Sequence, residues 1–165
     1  MGLVGVEAVF AAMTTKLQTD MPAKVTALNA IYADAFALTE IPAESYYDYV
    51  PGVEGPTFGF PAIILRDETA KGDPEQSNPA LQVVRYAVTV VVVVLGSDAE
   101  DLTKRLWRYD RAAKEILLAR HSLAPTCTTC VYDETTNNRV TDPDSGDFLQ
   151  DRASRFFITT AETTA

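Results

Sequence analysis

The stretch Leu81-Gln82-Val83-Val84-Arg85-Tyr86-Ala87-Val88-Thr89-Val90-Val91-Val92-Val93-Val94-Leu95-Gly96-Ser97-Asp98-Ala99-Glu100 decides the fold. Its first part is dominated by β-branched residues, and at the two-residue period of a strand Val84, Tyr86, Val88, Val90, Val92 and Val94 share one face. The opposite face reads Arg85, Ala87, Thr89, Val91 and Val93, so it begins mixed, turns apolar halfway along and needs cover as well. Ser97 then stands at an N-cap position with Glu100 three residues on, a capping box that opens a helix. Leu102, Leu106, Tyr109, Ala113, Ile116 and Leu117 form its apolar stripe, and Glu100 with Lys104, Asp101 with Arg105 and Asp110 with Lys114 are i,i+4 ion pairs. Acids open this helix and Arg120 and His121 close it, matching its dipole, so it is predicted over about 98 to 120.

Working outward, residues 126 to 133 and 154 to 160 read as two further strands, separated by Asn137-Asn138, Asp142-Pro143 and Ser145-Gly146. Upstream, residues 62 to 66 read as a first strand, and 67 to 80, with Gly72, Pro74, Asn78 and Pro79, as a long mobile connection. Pro42, Pro51, Gly52, Gly55, Pro56, Gly59 and Pro61 make 40 to 60 mostly loop. Leu3, Val6, Phe10, Met13 and Leu17 lie on one helical stripe. Asp20 followed by Pro22 signals a second helix carrying Val25, Leu28 and Tyr32. This order predicts an α+β domain over 1–165: a largely antiparallel four-stranded sheet with an N-terminal helix and the long 98–120 helix packed on it.

With 165 residues, 47% of them hydrophobic and 22% charged, the chain can bury a real core within one domain. Fourteen Lys and Arg against 23 Asp and Glu give a formal charge of −9, which repels a phosphate backbone and argues against a general nucleic-acid binder. The 98–120 helix is nearly balanced, with six basic and five acidic groups, so the excess lies elsewhere, chiefly in 25 to 65 and 133 to 151. The start Met1-Gly2-Leu3-Val4-Gly5-Val6-Glu7 lacks the charged region and continuous apolar run of a signal peptide, and Val6 stands where myristoylation wants Ser or Thr; a cytosolic product is expected. The apolar run from 81 to 95 is broken by Gln82, Arg85 and Thr89 and is shorter than the roughly 20 residues that span a bilayer, so no membrane partner is expected.

Catalytic constellations are sparse. His121 is the only histidine, and neighbouring Ser122 does not converge with it into a catalytic pair. There is no GxGxxG, Walker or GxSxG motif. Cys127 and Cys130 have the spacing of zinc and dithiol sites, but in a strand residues three apart point to opposite faces and two further ligands are wanting; they read as ordinary strand cysteines. Asp142, Asp144 and Asp147 around Gly146 fail the EF-hand pattern and read as a solvated acidic turn. Neither a metal nor another cofactor is expected, and no enzyme activity.

Contact surfaces are better represented. Tyr46, Tyr47, Tyr49, Phe58 and Phe60 place five of fifteen aromatics within fifteen residues, and no Lys or Arg lies between Lys24 and Arg66, so the cluster is core cover or a protein interface rather than a base-stacking platform. Lys104, Arg105, Arg108, Arg111 and Lys114 are either a solvated helix face or a surface for an acidic neighbouring subunit. The candidate subunit or partner interface is therefore Tyr46, Tyr47, Tyr49, Arg85, Val91, Val93, Arg108 and Arg111.

The run from Arg85 to Leu102, continuing into Arg105-Leu106-Trp107-Arg108-Tyr109, resembles the tail terminator or tail-completion (neck) proteins of long-tailed bacteriophages. In that pattern a long Val-rich strand ends in a small polar turn and feeds an amphipathic helix. The likeness covers most of the chain in element order and about 81 to 117 in residues. It implies a non-enzymatic virion protein, made in the host cytoplasm, forming a ring homo-oligomer, usually a hexamer, on the tail tube. Its partners would be the tail-tube protein and the head-completion or connector protein, with DNA only as a passing molecule. The alternatives are another head-tail connector, a small thiol oxidoreductase using Cys127 and Cys130, and a ligand-binding α+β domain with a pocket beside the aromatic segment.

Overall fold

In the computed structural model, a 27-residue helix α1 (Val6–Tyr32) leads through a 3-10 turn (Ala43–Ser45) into β1 (Tyr46–Tyr47), β2 (Ala62–Gly72), β3 (Leu81–Gly96), helix α2 (Ala99–Leu117), β4 (Thr129–Thr141) and β5 (Phe148–Thr163). The structure describes residues 5–48, 59–72, 74–77, 80–120, 122–141 and 146–163. The expected four-stranded antiparallel sheet is corrected to a five-stranded mixed sheet in the order β1-β2-β3-β5-β4. The added strand is β1, whose Tyr46 and Tyr47 pair in parallel with Ile63 and Ile64. A two-residue strand has no periodicity of its own, because its partner strand alone defines it.

The other corrections share one cause, which is pairing and packing overriding local punctuation. The expected 67–80 connection is strand as far as Gly72, because the antiparallel register carries past a bulge at Asp67/Thr69 to set Lys71 opposite Arg85. Likewise β4 continues through Thr135, Thr136, Asn137 and Asn138 to Thr141, held by β5 across a bulge at Tyr132/Thr135. The two expected N-terminal helices are one, with Pro22 inside it. Interior proline costs about 3 kcal/mol. Buried Met13, Leu17, Met21, Val25 and Leu28 continue one stripe straight across it, and each buried side chain of this kind contributes ~1.5–3 kcal/mol.

Helix α2 starts one residue later than the capping-box reading. Asp98, not Ser97, is the N-cap, and its carboxylate accepts from the Glu100 and Asp101 amides at 2.8 and 3.1 Å. Both helices share in one core with a single face of the sheet: the α1 stripe and Leu102, Leu106, Tyr109, Ile116 and Leu117 of α2 join Ile63, Leu65, Val88, Val90, Val92, Phe156 and Ile158. The segment after α1 is stitched down by Asn29, which accepts from the Leu38 amide at 2.7 Å and donates to its carbonyl at 2.9 Å. The Tyr109 hydroxyl holds the next residue, accepting from the Thr39 amide at 3.0 Å and donating to its carbonyl at 2.6 Å.

Candidate assembly surface

The second sheet face is partly sealed by the chain itself. Val91 and Val93 are buried with Ile64 and Ala153, and Tyr47, Phe60 and Leu149 pack against them. The expected need for cover at Val91 and Val93 is real, and Tyr47 and Phe60 meet it, so the two valines are not a free surface. Because β1 alternates, Tyr46 turns the other way and packs against the main core. Burial pushes its phenol up to about 12, with Glu40 adding to the shift. Tyr49, like Phe58, lies outside the described residues.

Beyond that apolar patch the same face changes character. The Arg85 guanidinium lies 4.0 Å from the centroid of the Phe157 ring. Thr69, Lys71, Arg85, Ala87 and Phe157 line a shallow hollow of about 250 Å³. Arg155 gathers Asp133 at 2.7 Å, Glu134 at 3.2 Å and Glu68 at 3.3 Å. At the opposite end, the register puts Leu95, Leu149 and Val140 side by side across three strands, with Leu95 42% and Val140 58% exposed.

On α2 the two predicted arginines separate. Arg108 turns inward: its guanidinium is 7% exposed and bonds both oxygens of Asp34, at 2.8 and 2.5 Å. It also donates to the Phe36 carbonyl at 2.7 Å and stacks 4.0 Å from the Tyr32 ring centroid. The hydrogen bond from Arg108 holds the Asp34 carboxyl down at about 2. Arg108 is thus a pin between α2 and the chain beyond α1, withdrawn from the surface in the single chain. Arg111 faces outward, donating to Glu115 at 2.7 Å and to the Tyr32 hydroxyl at 3.0 Å. One turn before it, Trp107 is 55% exposed, and Ile31, next to Tyr32, is exposed as well. Sequence reasoning passed over Trp107. Its signal was its position off the Leu102, Leu106, Tyr109 stripe, which forces a large ring toward solvent.

The cysteines also depart from expectation. Cys127 precedes β4 instead of sitting in it, so the two side chains do not fall on opposite faces: both reach the main core and line one hollow of about 320 Å³. Burial pushes the Cys127 thiol up to about 11 and, with Cys127 nearby, that of Cys130 up to about 12. A protonated thiol is a poor nucleophile and a poor metal ligand. Among the described residues no group of three or more His, Cys, Asp and Glu could hold a metal. His121, Asp142 and Asp144 lie outside them. No helix of the described residues is long and apolar enough to cross a membrane.

The fold has a counterpart among solved structures. A chain from the virion of a native gene transfer agent particle matches with a TM-score of 0.56 and 16% sequence identity, covering 93% of this chain and 96% of that one. The likeness therefore concerns the whole fold, helices and sheet together. No protein-family model matches the sequence, and no curated protein sequence does either.

Proposed function

We propose that this chain is a structural protein of a phage-type virion, and within that class a tail terminator: a ring-forming subunit, hexameric by resemblance, that caps the tail tube and joins it to the head connector. The observation that carries the reading is the near end-to-end fold likeness to a chain of the gene transfer agent virion. The Val-rich strand, polar turn and amphipathic helix of the terminator pattern support the finer assignment, and here they are β3, residues 97–98 and α2. The surface suits assembly: exposed Trp107, Tyr32 and Arg111 are the residue types that dominate protein contacts. A net charge of −9 keeps passing DNA from adhering. In this reading the protein lies at the tail or neck, works without a cofactor and catalyses no reaction.

The deciding experiment mixes the purified protein with tail tubes from its own phage and images them by negative-stain electron microscopy. A ring at one end of each tube, with growth halted, is expected; tubes that keep growing with bare ends overturn the terminator assignment. Binding to the portal and connector instead of the tube would make it a different neck protein.

A further inference from the structure

Among the described residues the sheet ends in two backbone edges. β4 pairs with β5 on one side only, and residues 66–72 of β2 pair only with β3, since β1 reaches no further than Ile63 and Ile64 among the described residues. Every residue from 66 to 72 is exposed, and along β4 only Cys130 and Thr135 are not. Natural edges are usually protected by Lys, Pro or cover. β4 holds no Lys, Pro or Gly in 13 residues, and its middle, Thr135-Thr136-Asn137-Asn138, is uncharged; residues 66–72 instead carry Arg66, Asp67, Glu68 and Lys71, so that edge admits a charge-matched strand and not any strand.

We infer that neighbouring copies of this chain join edge to edge, β4 of one pairing antiparallel with residues 66–72 of the next. The directions agree. β2, β3, β5 and β4 alternate in direction across the sheet, so β4 runs opposite to β2, and a copy that continues the sheet sideways presents its β4 antiparallel to the first copy's β2. The charges agree as well. With the two edges centred on each other, Lys71 stands opposite Asp133, Arg66 opposite Asn138, Asp67 opposite Asn137 and Glu68 opposite Thr136, and no like charges meet. Lys71 and Asp133 also leave the sheet on the same side, away from the helices: Lys71 lines the hollow with Arg85 and Phe157, and Asp133 bonds Arg155. The two edges belong to different patches of one chain, so the contact is head-to-tail and repeats. With each strand adding about 20–25° of twist, such a contact closes into a ring or climbs into a helix. This inference rests on the ring-forming reading above and names the surface that builds the ring.

Two measurements on the full chain test it. Light scattering fixes the oligomeric state, and hydrogen exchange by mass spectrometry then compares the oligomer with the dilute monomer. Amides of residues 66–72 and 129–141 are expected to slow together by about tenfold or more on assembly. In parallel, Lys71→Cys and Asp133→Cys chains are mixed and oxidised with copper phenanthroline. A disulfide-linked pair of one chain of each kind, joined through the two introduced cysteines as read by peptide mass mapping and not through native Cys127 or Cys130, is expected; Lys16→Cys, on α1, mixed with Asp133→Cys gives none. An oligomer whose two edges exchange as fast as in the monomer, and whose mixed cysteine chains do not link, overturns the edge pairing while leaving the ring in place. A chain that stays monomeric at high concentration overturns both.

Discussion

The two faces of the sheet are made by the same strands and end up in opposite conditions. On the helix side Val88, Val90 and Val92 are at most 1% exposed, and Phe156 and Ile158 are fully buried. One residue along the same strand, Val91 and Val93 are closed off, among the described residues, by Tyr47, Phe60 and their sheet neighbours, and further out Leu95 and Val140 meet solvent. Among the described residues, both helices lie on one side and two aromatic rings on the other. Stability is therefore concentrated on the helix side, and the outer side and the edges are left to meet other molecules.

Substitutions can break this comparison or sharpen it. Phe156→Ala, in the helix-side core, is expected to cost about 3–5 kcal/mol, read as a large drop in the urea midpoint. That is a sizeable part of the ~5–15 kcal/mol that holds a domain together. A smaller, pH-dependent loss is expected from Arg108→Ala. Asp34 titrates at about 2 beside Arg108 against an ordinary 3.8, so the pair stabilises fully above about 4 and loses this contribution as pH falls toward 2. The gap between wild type and variant narrows over that window, and the Asp34 carboxyl resonance, followed by NMR, moves its midpoint back toward 3.8 in the variant.

Ser45→Ala goes the other way. Its hydroxyl is buried just before β1 with no hydrogen-bond partner among the described residues, so removing it is expected to raise stability by about 1 kcal/mol. Smallest of all is Val140→Thr on the open face, expected within about 0.5 kcal/mol of wild type in the same urea series. An effect there as large as that of Phe156→Ala would show that the outer face carries the fold after all.

How much of this was legible depends on where the determining contacts lie. β3 and α2 could be read directly because their periodicity runs for 16 and 19 residues. The lower part of β2 and the middle of β4 could not, since Asp67 to Lys71 and Thr135 to Asn138 are polar and take strand form only from their neighbours. β1 was invisible for the same reason, and Pro22 misled because local punctuation pointed against a buried stripe. Among the candidate contact residues, Arg85 and Arg111 do stand at the surface. Arg108 could not be recognised as a pin, since its partner Asp34 is 74 residues away in sequence. Val91 and Val93 were correctly read as needing cover, and what the sequence did not disclose was that Tyr47 and Phe60, from the same chain, supply it.

The strand order carries a consequence for how the chain is made. β3 lies between β2 and β5, so a growing chain can fold the β2–β3 hairpin early, while Val83 to Val94 keep their other edge bare until residues 148–163 have left the ribosome. Over that interval of synthesis the most apolar strand in the protein is an open template for misassociation. Residues 148–163 close that edge, so loss of β5 would convert this Val-rich centre into an adhesive edge.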